Sequence, residues 1–509
     1  MMKNCGATVL LRLRHSADKM KKRHRSGGFS LTVLMAQAGS AALCANAVPV
    51  GKPNILIILT DDQGYAAVSL NPFHPSAVST PNIDSIARNG IDFRQAYIAA
   101  NVCSPSRAAL LTGRYPQRAQ VYTAGEGGTG MSLDNHIIPF FLKPAGYVSG
   151  AFGKWHLGTE IEKSPLKRGF DEFYGFLGRG GHDYFNFDPD SGEKFGGSIY
   201  RGLEALQNEK GYLTDILTDE AVAFIRKHKT EPFFCYLAYN AVHAPIEAPE
   251  ETSRKYKNAK AFDPKYQDDV KGPIRTYLAM LEHLDRGVGR VLDTLQKEGI
   301  ADNTLIFFLT DNGGPFDPGQ FNQPLHGNKH QNWEGGVRTP FFVSWPGRFK
   351  AGQVIDVPVI SMDILPTLLD VLNLPMPADK PLDGKSLLPL IDGKVATLHD
   401  RLFWTDGSEG GWWSARIGNW KMLGNRDDVK LFNLAEDPSE KNDLALKYPE
   451  KLADLRKAFD VWLDSMPDPM SKGTHGNNKR WTPDDAGKGK KIKRTRRGSS
   501  PAMEPADCQ

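Results

Sequence analysis

Three stretches of the chain are apolar without interruption: Ile55-Leu56-Ile57-Ile58-Leu59, Phe233-Phe234-Cys235-Tyr236-Leu237 and Leu305-Ile306-Phe307-Phe308-Leu309. A strand exposed on one face alternates apolar and polar residues. A run that does not alternate predicts a strand buried on both faces, as in the middle of a parallel sheet. Val148 to Phe152 adds a fourth, smaller-sided strand. Between these runs the period changes to that of a helix. Ile216, Leu217, Ala221, Phe224 and Ile225 mark one helix over 214–227, and Tyr277 to Leu295 reads as a long amphipathic one. A shorter helix runs to Arg88, with Thr80 as N-cap, Pro81 at its first position and Gly90 beyond its end. Alternation of strand and helix up to about residue 395 predicts an α/β fold, a large doubly wound mixed sheet flanked by helices. From Leu402 the texture shifts to short aromatic strands around Phe403-Trp404, Trp412-Trp413 and Trp420, then a helix from Pro449 to Met466. This predicts a smaller C-terminal antiparallel sheet with one helix packed on it. The expected division is therefore a large α/β domain over 48–395 and an α+β subdomain over 396–467.

Charge is distributed unevenly. The whole chain is +4, but residues 1–47 carry +7 and residues 472–509 carry +6, which leaves the body at −9. The basic ends therefore give no argument for nucleic-acid binding by the folded part, and an acidic body attracts cations. Lys21-Lys22-Arg23-His24-Arg25, an apolar stretch from Phe29 to Leu43 and Ala45-Asn46-Ala47 together read as a cleavable export signal over 1–47. The apolar stretch is too short for a stable membrane span. Met20 is the expected start, since it opens a compact signal. A lipoprotein site at Cys44 fits less well, because bulky Leu43 precedes it. The tail over 468–509 is Gly-, Lys- and Arg-rich and is expected to be disordered. Only Cys103 and Cys235 lie outside the two ends, so no disulfide framework is expected, and Cys235 sits in a strand run as a core residue.

Two of the apolar runs end alike. Thr60-Asp61-Asp62 follows the first and Thr310-Asp311-Asn312 the last. Ligands of open α/β sheets sit at the carboxyl ends of the strands. Three carboxylates and an amide oxygen there suit a hard divalent cation, and calcium rather than magnesium when several protein ligands crowd one ion. The segment Cys103-Ser104-Pro105-Ser106-Arg107 through Gly113-Arg114 reads as a cysteine at the start of a short helix, with Pro105 at its first position and Gly113 as left-handed C-cap.

That twelve-residue segment resembles the signature of type I, formylglycine-dependent sulfatases of the alkaline phosphatase superfamily. Gly153-Lys154-Trp155-His156-Leu157-Gly158, His243-Ala244-Pro245, Leu325-His326-Gly327-Asn328-Lys329 with Trp333-Glu334-Gly335-Gly336, and Leu431-Phe432-Asn433-Leu434 with Asp437-Pro438-Ser439-Glu440 match the same family in order. Asn328 and His330 depart from its small glycines. The resemblance implies that Cys103 is converted to formylglycine by a formylglycine-generating enzyme. It further implies one Ca2+ held by Asp61, Asp62, Asp311, Asn312 and residue 103. Arg107 and Lys154 would then hold the aldehyde hydrate, one of whose hydroxyls attacks sulfur. Lys329 would stabilise the sulfuryl oxygens, His243 would protonate the leaving alcohol, and His156 would help expel sulfate. A phosphomonoester or phosphonate hydrolase of the same superfamily and a non-catalytic glycan-binding relative are the alternatives. For substrate recognition the loop residues Arg179, His182 and Asp183 and the tryptophans Trp412 and Trp413 suit a sulfated carbohydrate, met by an exported enzyme in the periplasm or outside the cell.

Overall fold

The structure is a computed structural model. It describes residues 51–469, apart from 126–128, 179, 192–194, 208, 259–272, 316–320, 408–410 and 426–427. The leader with Met20, Cys44 and the cleavage site lies outside the described residues, as do all but the first two residues of the basic tail.

The strands in chain order are β1 (Asn54–Thr60), β2 (Ile91–Phe93), β3 (Ala96–Tyr97), β4 (Val148–Lys154), β5 (Glu172–Phe176), β6 (Tyr200–Arg201), β7 (Glu204–Ala205) and β8 (Phe233–Ala238). They continue with β9 (Thr304–Thr310), β10 (Phe341–Ser344), β11 (Gln353–Ile355), β12 (Val359–Ile360), β13 (Arg401–Thr405), β14 (Trp412–Ile417), β15 (Trp420–Asn425) and β16 (Asp428–Asn433). The main helices are α1 (Pro81–Arg88), α2 (Cys103–Thr112), α3 (Leu213–His228), α4 (Pro273–Lys297), α5 (Ile364–Val371) and α6 (Pro449–Asp464).

Ten strands form one mixed sheet in the order β11-β2-β10-β9-β1-β8-β4-β5-β6-β7. Its centre, β4, β8, β1 and β9, is parallel throughout. The uninterrupted apolar runs are explained by this placement. Ile55, Ile57 and Leu59 of β1 face a core shared with α2 and α5. Leu56 and Ile58 face the other, built with α1, α3 and α4. In β9 all of Leu305 to Leu309 are buried, and each such side chain contributes roughly 1.5–3 kcal/mol relative to exposure. The flanking strands β10 and β6 run antiparallel to their neighbours, so the sheet is mixed, as expected. β13 to β16 form a separate antiparallel meander with α6 against it, and Phe403, Trp413 and Leu431 meet Phe459 and Trp462 there.

Two local expectations change. Thr80 does not cap α1 with its side chain. The backbone N–H groups of Asn82 and Ile83 instead donate to Asp285 Oδ1 of α4, at 3.0 and 2.9 Å. A carboxylate from a packed helix thus satisfies the orphan donors at the helix start. The other change is in α2, which begins at Cys103 rather than Pro105, with Val102 as its N-cap residue. Pro105 falls within the first turn, where its missing N–H has no intrahelical acceptor to lose. Gly113 closes the helix at φ 65°, as a left-handed C-cap.

Candidate active site

β1 and β9 are paired in register, Thr60 opposite Thr310. The two acidic pairs therefore leave the same edge of the sheet side by side. β4 ends at that edge on Lys154, and β8 leads from it to His243. α2 delivers Cys103 and Arg107 from one side, and a loop after β9 returns Lys329. Cys103, Arg107, Lys154, His156, His243, Lys329, Asp61, Asp62, Asp311 and Asn312 are all buried within this cluster.

The geometry is a lattice of opposite charges. Arg107 donates from Nε and Nη2 to Asp311 Oδ2 at 3.0 and 2.7 Å, and from Nη1 to the Lys154 carbonyl at 2.8 Å. Lys154 Nζ donates to Asp61 Oδ2 at 2.5 Å and to the Gly180 carbonyl. Lys329 Nζ lies 2.9 Å from Asp62 Oδ1 and 3.0 Å from its Oδ2. Asn312 Nδ2 donates to Asp62 Oδ1 at 2.6 Å, which points its amide oxygen away from that carboxylate. His243 Nε2 stands 3.6 Å from Asp62 Oδ2, while its Nδ1 is 2.6 Å from the Ala244 carbonyl. His156, at φ 57°, accepts from Ser104 through its own carbonyl. Asp62 also has a positive φ, 60°. Non-glycine residues pay for that region in strain, and such residues cluster at functional sites.

Burial and charge shift the protonation of these groups in opposite directions. Burial and the neighbouring Asp311 push the Asp61 carboxyl up to about 7. Burial also opposes ionisation of Asp62, but the Lys329 ammonium, with hydrogen bonds from Lys329 and Asn312, outweighs it and holds this carboxyl well below the usual range. Burial and Lys154 keep His156 neutral, and burial and Lys329 do the same for His243. Burial raises the Cys103 thiol, so it is not a ready thiolate.

The donor set fits a cation. Asp61 Oδ1 and Asn312 Oδ1 are buried acceptors with no hydrogen-bond partner among the described residues. Such atoms are costly unless something positive meets them. Ligand atoms of Asp61, Asp62 and His243 lie within 4.8 Å of one another. Three carboxylates face three basic side chains, so the side chains alone sum to no charge. A divalent cation would make the site positive toward an anionic ester.

The outer residues divide differently. Arg179 lies outside the described residues. Trp413 is 1% exposed and packs on Phe459 and Arg456 of α6, so it is a core residue and not a substrate contact. His182 is equally buried, with ring nitrogens 2.8 and 3.2 Å from the carbonyls of Asp183 and Gly197. Asp183 accepts the N–H groups of Phe185 and Asn186 through Oδ1. Both residues therefore shape their own loop, with buried side chains that engage its backbone groups. A polar side chain in a glycine-rich loop has unsatisfied backbone groups close by, and here those groups claim it first. Trp412 alone of the four described stays half-buried, 6.2 Å from Trp333 between ring centroids.

Sequence reading assigned no role to Asn101, Glu334 or Lys421. Asn101 accepts the His330 N–H at 2.9 Å and so ties the approach to Cys103 to the Lys329 loop. Lys421 is a fully buried lysine inside a strand, and no sequence signal marked it, because alternation in Trp420-Lys421-Met422 puts it on the face opposite the two apolar residues.

Comparison with known proteins gives the family. A family model described as Sulfatase matches residues 53–374, and one described as N-sulphoglucosamine sulphohydrolase, C-terminal, matches residues 326–463. The uncharacterized sulfatase YdeN of Escherichia coli K12 is 33% identical over 407 residues, 70% of this chain and 69% of that protein. N-acetylgalactosamine-6-sulfatase of Canis lupus familiaris is 34% identical over 398 residues, covering 73% and 71%. Among solved structures, Ps i-CgsB in complex with k-i-k-neocarrahexaose superposes with a TM-score of 0.74 at 35% identity, over 82% of this chain and 94% of that one. The phosphonate monoester hydrolase of Agrobacterium radiobacter shares the fold, with a TM-score of 0.60 at 20% identity, over 80% and 96%. Fold and site define a hydrolase of the alkaline phosphatase superfamily. Within it, this chain belongs to the sulfatase family and is a sulfuric ester hydrolase.

Proposed function

We propose that the protein is an exported sulfatase acting on sulfated carbohydrates, with Cys103 matured to formylglycine and one Ca2+ held by Asp61, Asp62, Asp311, Asn312 and residue 103. The observation that carries this reading is the convergence of Cys103, three carboxylates and three basic side chains on one sheet edge. When bound, the calcium ion would supply positive charge to the sulfate oxygens, and the matured residue 103 would supply an aldehyde-hydrate hydroxyl as nucleophile.

The chain's own residues do the rest. Arg107 grips Asp311 with two donors and fixes that carboxylate in place. Lys154 holds Asp61 and stands beside residue 103. Lys329 offers its ammonium donors to the sulfate oxygens, where charge builds during transfer. His243 is oriented by its Nδ1 bond to Ala244, which leaves Nε2 to carry a proton to the leaving oxygen. An arriving anion raises the proton affinity of that neutral ring. His156, whose Nδ1 has no hydrogen-bond partner among the described residues, is the base for residue 103. A second reading of His243 rests on the 4.8 Å grouping of its ring nitrogen with Asp61 and Asp62, as a metal ligand. Calcium prefers oxygen, so the acid role is favoured. In that role His243→Ala leaves calcium affinity intact.

The carbohydrate assignment is supported by a similar solved structure that holds an oligosaccharide and by relatives named for an amino-sugar sulfate. Trp412 of β14, distant from the nucleophile in sequence but beside Trp333 in space, is a half-buried stacking surface, and Arg179 precedes in sequence the Gly180 that Lys154 engages. Among the described residues no helix is long and apolar enough to cross a membrane. The exported chain is expected to start near Val48.

The test combines two measurements on one preparation. Intact mass should show Cys103 lighter by about 18 Da, a thiol exchanged for an aldehyde. Sulfate release should then be assayed on sulfated mono- and oligosaccharides, an aryl sulfate and a phosphate monoester. Faster turnover of the phosphate ester, or an unmodified Cys103 in protein that turns over, ends the reading.

A further inference from the structure

The loop that carries Lys329 is held from outside the catalytic sheet. Its far end is the short turn Glu334–Val337. Glu440, from the segment after β16, accepts the Glu334 backbone N–H through Oε2 at 2.6 Å. Lys421 of β15 lies 2.9 Å from Glu334 Oε1 and 2.9 Å from Glu440 Oε1, and all three side chains are wholly excluded from solvent. Tyr97 donates its hydroxyl to Glu334 Oε2 at 2.6 Å, and Arg416 donates to that hydroxyl in turn.

The turn so held touches the site on two sides. The Gly336 carbonyl accepts the N–H of Gly313, the residue after Asn312. Gly335 donates to His326 at the start of the loop, and Lys329 donates its N–H to Gly314. A shift of the turn would therefore move Asn312 and Lys329 together.

We propose that Lys421 and Glu440 of the C-terminal sheet are positioning residues for Lys329 and Asn312, acting through Glu334. The proposal rests on the reading of Lys329 as the sulfate-binding lysine. Two buried carboxylates that are both ionised stay close only while a cation lies between them. Without Lys421 they separate, and the turn carries the loop with it. The pattern of Glu334 held below its ordinary value and Glu440 raised above it agrees with two acids sharing one lysine.

The experiment uses the full, matured protein, with kcat and KM measured well below each variant's Tm so that only folded enzyme is compared. Lys421→Met is expected to lower kcat at least about ten-fold with KM changed less than about three-fold. The double variant Lys421→Met with Glu440→Gln removes the repulsion and is expected to recover kcat to within about three-fold of wild type. General loss of stability would not be repaired in kcat by neutralising a second buried group. A folded Lys421→Met with wild-type kcat, or a double variant with no recovery, overturns the proposal. If Lys421→Met does not fold, Tyr97→Phe replaces it, removing one hydroxyl. A kcat reduced at least about three-fold supports the clasp, and an unchanged kcat overturns it. Lys329→Ala is run in parallel. Wild-type turnover there overturns the reading of the site itself, whereas its collapse beside an unaffected Lys421→Met overturns the clasp alone.

Discussion

At the scale of the residue, Cys103 is the proposed nucleophile and only a small side chain in the core. It is buried at the head of α2 with a thiol whose ionisation burial opposes. Cys103→Ala removes one atom from the core and is expected to cost about 1 kcal/mol of stability at most. Turnover should fall to background, and a folded Cys103→Ala that releases sulfate at the wild-type rate would refute the nucleophile assignment. Asp311 is the opposite case, because Arg107 depends on it. Arg107 is wholly buried and donates two hydrogen bonds to Asp311 Oδ2. Asp311→Ala would strand that guanidinium, at a cost of about 3–5 kcal/mol. Asp311→Asn keeps the shape and one acceptor oxygen and is the cleaner test. It should fold, lose bound calcium and lose activity. Full calcium content in Asp311→Asn would show that the ligand assignment is wrong.

At the scale of the element, the site depends on how closely two turns approach. A Cβ on Gly313 would fall 1.8 Å from the Gly335 carbonyl oxygen, a backbone atom with no freedom to swing aside. Gly313→Ala must therefore separate the Asp311-Asn312 turn from the Glu334–Val337 turn. β9 itself, buried and paired on both sides, remains. The expected result is a protein with near-native circular dichroism and kcat/KM lowered at least about a hundred-fold, since a displacement near 1 Å in a preorganised site costs that much. Unimpaired turnover would mean that the two turns can part without disturbing Asn312 or Lys329.

At the scale of the whole molecule, the C-terminal sheet and the catalytic sheet share a buried charge cluster, and this gives stability a pH dependence of its own. Burial, set against Lys421, raises Glu440 to about 7 from its ordinary 4.5, and Glu334 adds to the rise. A carboxyl raised on folding contributes stability that is present below its unfolded value and lost as pH rises through the folded one. Glu334 runs the other way. Burial opposes its ionisation, but Lys421 and Arg338 hold it near 2, so its contribution is present above 4.5 and lost as pH falls toward 2. Of this pair only Glu440 changes between pH 5 and 8, beside Asp61, His156 and His243 of the other cluster, and its own share is a decline of Tm across that window. Glu440→Gln is expected to flatten the decline. Parallel Tm profiles for wild type and variant would remove Glu440 from the account.

Much of this protein could be read from its residues because burial and local chemistry act over short spans. The runs in β1, β8 and β9 have no polar alternation, and only a sheet covered on both faces can absorb them. Cys103 to Arg114 is a contiguous motif, and Asp61-Asp62 and Asp311-Asn312 each follow an apolar run directly, so the proposed nucleophile and candidate ligands could be named from the residues alone. What residues do when several compete for one partner was not. His182, Asp183 and Trp413 have side chains suited to a sugar, yet backbone groups of their own loop and the face of α6 take them first. Asp285 displaced Thr80 as the cap of α1 across 203 residues of sequence. Glu334, Lys421 and Glu440 meet only because the C-terminal meander folds back on the Lys329 loop. Hydrophobic period and contiguous motif are properties of the chain, whereas the pairing of buried polar groups is decided by distance in space, and only the tertiary structure sets that distance.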